Sequence, residues 1–254
     1  MKKRIIARLD IKNDRLIKGV HLEGLRVVGD PVERALDYYE SGIDELILVD
    51  TVASLYQRNH LADVIHRICK KIFIPVTVGG GIRSLSDAEA LFDAGADKVA
   101  INTQAVSSPE LISQLSRRFG AQAVVLSVQA KLDPTDDSRW LVMTDNGRED
   151  SGRNVVDWIS EAQSYGFGEI LLTSIDKEGT GSGFDLDLLT SVASASTAPI
   201  LISGGFAKPI DAIDAFKSGA EAVVIAQAFH YNKCSIPDLK SSLALSNLSV
   251  RLAS

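Results

Sequence analysis

The chain has 254 residues, of which 45% are hydrophobic and 24% charged, and its formal net charge is −6. That content can bury a full core without disulfide staples, and the acidic balance excludes a nucleic-acid binder that works through a broad basic field. Cys69 and Cys234 stand far apart without a CxxC partner, and His21, His60, His66 and His230 show no metal-ligand spacing, so reduced thiols, no metal and no cofactor are expected.

The N-terminus, "MKKRIIARLD", starts like a signal peptide, but Asp10 ends the apolar run too early for an h-region. No run approaches eighteen apolar residues, so no membrane span is expected and the protein reads as cytoplasmic. Apolar, β-branched runs then predict strands near 4–10, 45–50, 75–79, 98–102, 123–128, 169–174, 199–203 and 222–226. Between them lie amphipathic stretches such as "DPVERALDYYESG", with Pro31 and Glu33 near a helix start and Gly42 near its end, and "SLSDAEALFDAGA". Eight strand–helix alternations in this length predict one α/β domain over 1–254, a closed (β/α)8 TIM barrel.

The fifth strand is expected to end at Gln129, where two other strands emerge with carboxylates, Asp10 and Asp50. The long stretch after it, residues 130–152, carries "DNG" between "WLVMT" and a polar return, which predicts a small hairpin. That hairpin is either a lid over substrate or a decorated surface loop.

The chain also repeats itself. "VGGGIRSLSDAEALFDAGADKVAIN" from Val78 aligns without gaps on "ISGGFAKPIDAIDAFKSGAEAVVIA" from Ile202, with Gly80, Gly81, Asp87 and Gly95 matching Gly204, Gly205, Asp211 and Gly219. One quarter of the barrel therefore occurs twice, half a barrel apart, a two-fold duplication. Each glycine pair follows a strand and precedes a helix, where backbone N–H groups can cradle a phosphate. Asn102 with Thr103, and Ala226 with Gln227, can complete the two cups. Two cups imply a ligand with a phosphate at each end; tight βα turns alone would also use glycine.

Carboxylates at strand ends (Asp10, Asp50 and, just beyond "ILLTS", Asp176) suit acid–base work or the holding of ligand hydroxyls. The duplication makes Gln129 the half-turn partner of Asp10, yet an amide only donates or accepts a hydrogen bond. Lys18 reads either as a second cation near substrate or as a solvated lysine. At the strand starts stand Arg4, Glu45, Lys98 and Glu169, two cations and two anions that can pair across the axis. The six residues from Arg4 to Asp10 span about 20 Å, the depth of a barrel.

Over essentially the whole chain, "KRIIARLDIK", "GDPVE", "GIDELILVD", "IPVTVGGGIRS", "AGADKVAINT", "GEILLTSIDKEGT" and "ISGG" resemble the cyclase subunit of imidazole glycerol phosphate synthase. The resemblance implies a glutaminase subunit docked on the strand-start face as a heterodimer. It implies an ammonia gate at Arg4, Glu45, Lys98 and Glu169, and ammonia attack on a bis-phosphorylated ribulosyl carboxamide nucleotide. A catalytic role falls to Asp10, and ligand contacts to Lys18, Asp50, Asp176, Gly179 and both glycine cups. There are two departures. The family's second essential carboxylate falls at Gln129, and an aspartate of the "SID…GT" stretch is Glu178 here. "KGVHLEGLRVVGDP" and "TVASLYQRNHL" are also similar to a cyclase-like branch linked to lipopolysaccharide synthesis, where ammonia is used to make an amidino sugar. Three readings follow: an ammonia-using synthase subunit, either a true cyclase or that paralogue; a stand-alone sugar-phosphate isomerase on the same barrel; and a non-catalytic glutaminase activator.

Overall fold

The structure, a computed structural model, describes residues 2–51 and 61–252, so His60 and most of the "TVASLYQRNHL" stretch lie outside the described residues. In chain order it forms β1 (Arg4–Lys12), β2 (Arg15–Val20), β3 (Glu23–Gly29), α1 (Pro31–Glu40), β4 (Glu45–Asp50), α2 (Leu61–Cys69), β5 (Val76–Gly79), α3 (Leu85–Asp93), β6 (Lys98–Ile101), α4 (Thr103–Ser107) and α5 (Glu110–Phe119). The second half continues with β7 (Val124–Asp133), β8 (Asp136–Thr144), β9 (Glu149–Asn154), α6 (Val155–Ala162), β10 (Glu169–Ser174), α7 (Leu186–Ala195), β11 (Ile200–Ser203), α8 (Pro209–Lys217), β12 (Ala222–Ile225), α9 (Gln227–His230) and α10 (Ile236–Leu245).

Strands β1, β4, β5, β6, β7, β10, β11 and β12 pair in parallel in that order, and β12 returns to β1, closing the barrel. The eight expected strands are these eight. Their side chains alternate between two apolar compartments, as strand periodicity requires. One set, including Ile5, Leu9, Leu46 and Leu48, packs outward against the helices. The other fills the barrel interior as a separate layer of Ile6, Ile47, Ala100, Val125, Leu171, Leu201, Ala222 and Val224. Among the described residues, no helix is long and apolar enough to cross a membrane.

Local signals act as the residue types dictate. Asp30 caps α1 by accepting from the Val32 and Glu33 amides, Pro31 occupies its first turn, and Gly42 leaves it at φ 83°. The duplication extends to backbone detail. Gly80 and Gly204 have φ 101° and 98°, and Gly95 and Gly219 have φ 113° and 108°. Asp87 Oδ2 accepts from the Arg83 amide, and Asp211 Oδ2 from the Ala207 amide, at the same offset of 124 residues.

Two features depart from expectation. The fifth barrel strand does not stop at 128 but runs to Asp133, because β8 pairs with it antiparallel and extends its ladder. Gln129 therefore sits within a strand, opposite Thr173 on one side and Met143 on the other. The expected hairpin is present as β8 and β9, turning through Asp145, Asn146 and Gly147, all at positive φ. A second hairpin, β2 with β3, extends β1 and was not anticipated.

Candidate active site

Along β1 the inward side chains are Arg4, Ile6, Arg8 and Asp10, at i, i+2 spacing, and they define levels from the bottom of the barrel to its mouth. At the bottom, Arg4 reaches Glu45 Oε1 and Glu169 Oε1, both at 2.7 Å. Lys98 reaches the other oxygen of each carboxylate, at 3.3 and 2.7 Å. Each cation thus bridges both anions in a closed, electrically neutral ring. Burial pushes the Glu169 carboxyl up, but Lys98 and Arg4 outweigh it and hold it below the ordinary glutamate range. The apolar interior layer lies directly above.

At the mouth stands a second neutral cluster, which the sequence reading only half anticipated. Arg8 is 2% exposed, and its Nε donates to Asp10 Oδ1 at 2.8 Å. Its Nη1 lies 3.4 Å from Thr173 Oγ1 on β10, although β11 and β12 stand between β10 and β1 in the barrel wall. The guanidinium therefore crosses the lumen. Lys18, on β2, lies 3.5 Å from Asp10 Oδ2 and pairs with Glu178. Burial pushes the Asp10 carboxyl up, but Arg8 and then Lys18 hold it below the usual range, so it stays ionised. Burial works against charge on Lys18 as well, and Glu178 and Asp10 more than compensate.

The unanticipated β2–β3 hairpin makes this cluster possible. It lays Lys18 over the loop that follows β10, where the His21 amide donates to the Glu178 carbonyl and Gly179 packs on Gly19. A Cβ on Gly179 would sit 2.5 Å from the Gly19 carbonyl oxygen, so only glycine permits that approach.

The two glycine turns each line a cavity at this end. The first, of about 120 Å³, is bordered by Asp50, Gly80, Gly81, Asn102 and Thr103, with Arg8 and Gln129 facing it. The second is tight, about 10 Å³, and is bordered by Glu178, Gly179, Gly204, Gly205, Ala226 and Gln227. The β8–β9 tip comes down on the first: Asp145 and Asn146 border it, and the Asp145 amide donates to Thr103 Oγ1 at 3.0 Å. Asn102 Nδ2 donates to the Met143 carbonyl and to Gln129 Oε1, while its own Oδ1 is buried without a partner. Asp176 is turned aside, accepting from the Leu132 amide at 2.8 Å, and borders neither cavity.

Arg8 was missed at the sequence level. Its signal was available: a cation two residues before Asp10 in an apolar strand must share the inward face of that carboxylate.

Comparison with known proteins agrees with this architecture. Residues 4–235 match the family described as Histidine biosynthesis protein. The chain is 60% identical over 205 residues to the imidazole glycerol phosphate synthase subunit HisF of Legionella pneumophila, covering 81% of this chain and 96% of that protein. It is 44% identical over 253 residues to the subunit of the same name in Streptococcus sanguinis, covering 99% and 100%. Over 251 residues it is 45% identical to that of Gluconacetobacter diazotrophicus, covering 99% and 96%. With a closed eightfold barrel, an internal duplication and relatives that align from end to end, the chain belongs to the HisF family of imidazole glycerol phosphate synthase subunits, within the histidine biosynthesis proteins.

Proposed function

We propose that the chain is an ammonia-using synthase barrel of the imidazole glycerol phosphate synthase type, a lyase-class cyclase subunit. A glutaminase docks on the strand-start face to form a heterodimer, and ammonia enters past Arg4, Glu45, Lys98 and Glu169. It crosses the apolar interior and reacts at the mouth with a substrate that carries a phosphate at each end. One cup, Gly80 and Gly81 with Asn102 and Thr103, takes one phosphate; the other, Gly204 and Gly205 with Ala226, Gln227 and Gly179, takes the second. Asp50, at the border of the first cavity, serves ligand hydroxyls, whereas Asp176, expected to do the same, is turned aside to the Leu132 amide.

The observation that carries this reading is the closed four-ion ring at one end of a tube whose other end bears the paired glycine turns. A stand-alone isomerase has no use for such a ring. The test supplies the bis-phosphorylated ribulosyl carboxamide nucleotide and an ammonium salt to the isolated barrel and follows imidazole glycerol phosphate. Formation of that product supports the cyclase.

The Arg8–Asp10 pair and the amide at Gln129 favour a second reading on the same barrel. Loss of a general acid or base typically costs about 10²–10⁴ in rate. In this reading the barrel keeps its anchors and ammonia route but serves another acceptor, a nucleotide sugar amidinated during lipopolysaccharide synthesis. No cyclase turnover, together with a stable complex with a glutaminase, supports it. Substrate binding that stimulates the glutaminase without any consumption would leave the barrel a non-catalytic activator.

A further inference from the structure

The mouth holds four buried charges, Arg8, Asp10, Lys18 and Glu178, and a buried neutral amide, Gln129. The four charges sum to zero, and each is contacted by an opposite one. Gln129 pairs in register with Thr173, the residue that Arg8 reaches across the lumen, and Arg8 and Gln129 face the same cavity. Asp50, Asp145 and Arg83 border that cavity with Arg8, and these four charges also sum to zero, so a carboxylate at position 129 would add an unbalanced negative charge at a buried position, which is costly. The amide avoids that charge and satisfies its oxygen through Asn102 Nδ2.

We infer that Arg8 is a specificity-determining residue: it commits Asp10 to an ion pair, and with an amide at position 129 neither of these two opposed strand ends offers a free carboxylate to take a proton from a bound acceptor. This rests on the reading of the mouth as the reaction site. It makes Arg8 and Gln129 one coupled change. Restoring a carboxylate at 129 alone is then insufficient, because the guanidinium still occupies Asp10 and faces the same cavity as the new group. Removing Arg8 as well leaves two opposed carboxylates whose mutual repulsion raises their proton affinity toward the range useful for acid–base work.

The experiment compares the wild type with Arg8→Ser, Gln129→Asp, Arg8→Ser/Gln129→Asp and Arg8→Lys/Gln129→Asp. Each receives the bis-phosphorylated ribulosyl carboxamide nucleotide with an ammonium salt, so no glutaminase is involved. The double variant with serine is expected to form imidazole glycerol phosphate at least about 10²-fold faster than either single variant, with a new acid limb in its pH–rate profile. The lysine double variant, which keeps the cation, is expected to stay at the level of the singles. Wild-type turnover equal to the serine double, Gln129→Asp alone matching it, or a folded, substrate-binding serine double that stays inactive each overturns the inference.

A second measurement needs no substrate. Gln129→Asp is expected to lower the urea midpoint relative to wild type at pH 7 and to close that gap as the pH falls and the new carboxyl takes a proton. Equal midpoints at pH 7 overturn the charge-balance argument. If no variant binds the nucleotide yet this pH-linked gap appears, the charge balance between Arg8 and Gln129 stands, and the reading of the mouth as a nucleotide site falls together with the role of Arg8 in specificity.

Discussion

Lys98 and Glu169 meet at 2.7 Å although β7 stands between their strands in the barrel wall. The contact is possible because Glu45, Arg4, Lys98 and Glu169 all point inward at one level, where a barrel brings non-neighbouring strands together. Half-buried ions in a closed ring lose less to solvent screening than isolated surface pairs. A double-mutant cycle with Lys98→Met and Glu169→Leu is expected to give a coupling of about 1–3 kcal/mol in urea denaturation. The coupling should shrink only modestly in high salt. Zero coupling would mean that four independently solvated groups share one face.

The glycine turns separate two penalties that are often merged. Gly80, at φ 101°, would bring a Cβ to 2.3 Å from the Asp50 carbonyl oxygen, and Gly205, at φ 105°, to 2.0 Å from that of Gly183. Gly152, at φ 72°, has open space around the same position. Gly152→Ala is therefore expected to cost about 1 kcal/mol from backbone strain alone. Gly80→Ala and Gly205→Ala are expected to cost clearly more, because the turn itself must move. Thermal unfolding of the three variants checks the order. Equal losses would show that left-handed strain, and not crowding against neighbouring backbone, fixes these glycines.

These residues also mark what a sequence discloses. The β-branched runs placed all eight barrel strands, and the twin "GG" turns placed the duplication, because period and spacing are properties of the chain itself. The "DNG" turn disclosed β8 and β9 for the same reason. The β2–β3 hairpin stayed hidden because its second turn uses His21 and Leu22 at φ 50° and 63°, residue types that carry no turn signal. The "ND" of its first turn, Asn13 and Asp14 at φ 47° and 58°, was a readable cue. The partners of Gln129 could not be read at all. Which charges surround it depends on Arg8 crossing to Thr173, a distance in space with no counterpart along the chain.

His230 gives a prediction about acid stability. It is buried beside Tyr38, whose hydroxyl oxygen lies 2.6 Å from Nδ1. Burial, together with Lys18, lowers its pKa to about 4. An unfolded histidine takes up a proton near pH 6.5 while the folded one refuses it until about 4, so stability falls as pH falls through that window. The full effect is roughly 3 kcal/mol. Asp10 and Glu169 act further down: their folded pKa values are depressed, so their contribution is present at neutral pH and lost only in stronger acid. His230→Gln, which keeps a neutral polar partner for Tyr38, is expected to flatten the stability profile between pH 6.5 and 4. A slope unchanged from wild type would show that the ring is hydrated in solution.

The β8–β9 tip is held over the first cavity by two hydrogen bonds from the end of β6. Asn102 Nδ2 donates to the Met143 carbonyl at 3.0 Å, and Thr103 Oγ1 accepts from the Asp145 amide at 3.0 Å. The Thr103 hydroxyl hydrogen remains available for a ligand in the same cavity, so one side chain can tie the tip and touch a bound phosphate. Thr103→Val keeps the shape, removes the acceptor and strands the Asp145 amide, at a cost of about 1 kcal/mol. Hydrogen exchange at residues 145–148 is then expected to rise about fivefold while β6 and β7 stay protected. In wild type, inorganic phosphate should slow exchange in the same residues; in the variant that slowing should be lost. Exchange that is indifferent to both changes would mean that the turn's own left-handed residues hold the tip in place, and that it does not respond to the cavity beneath it.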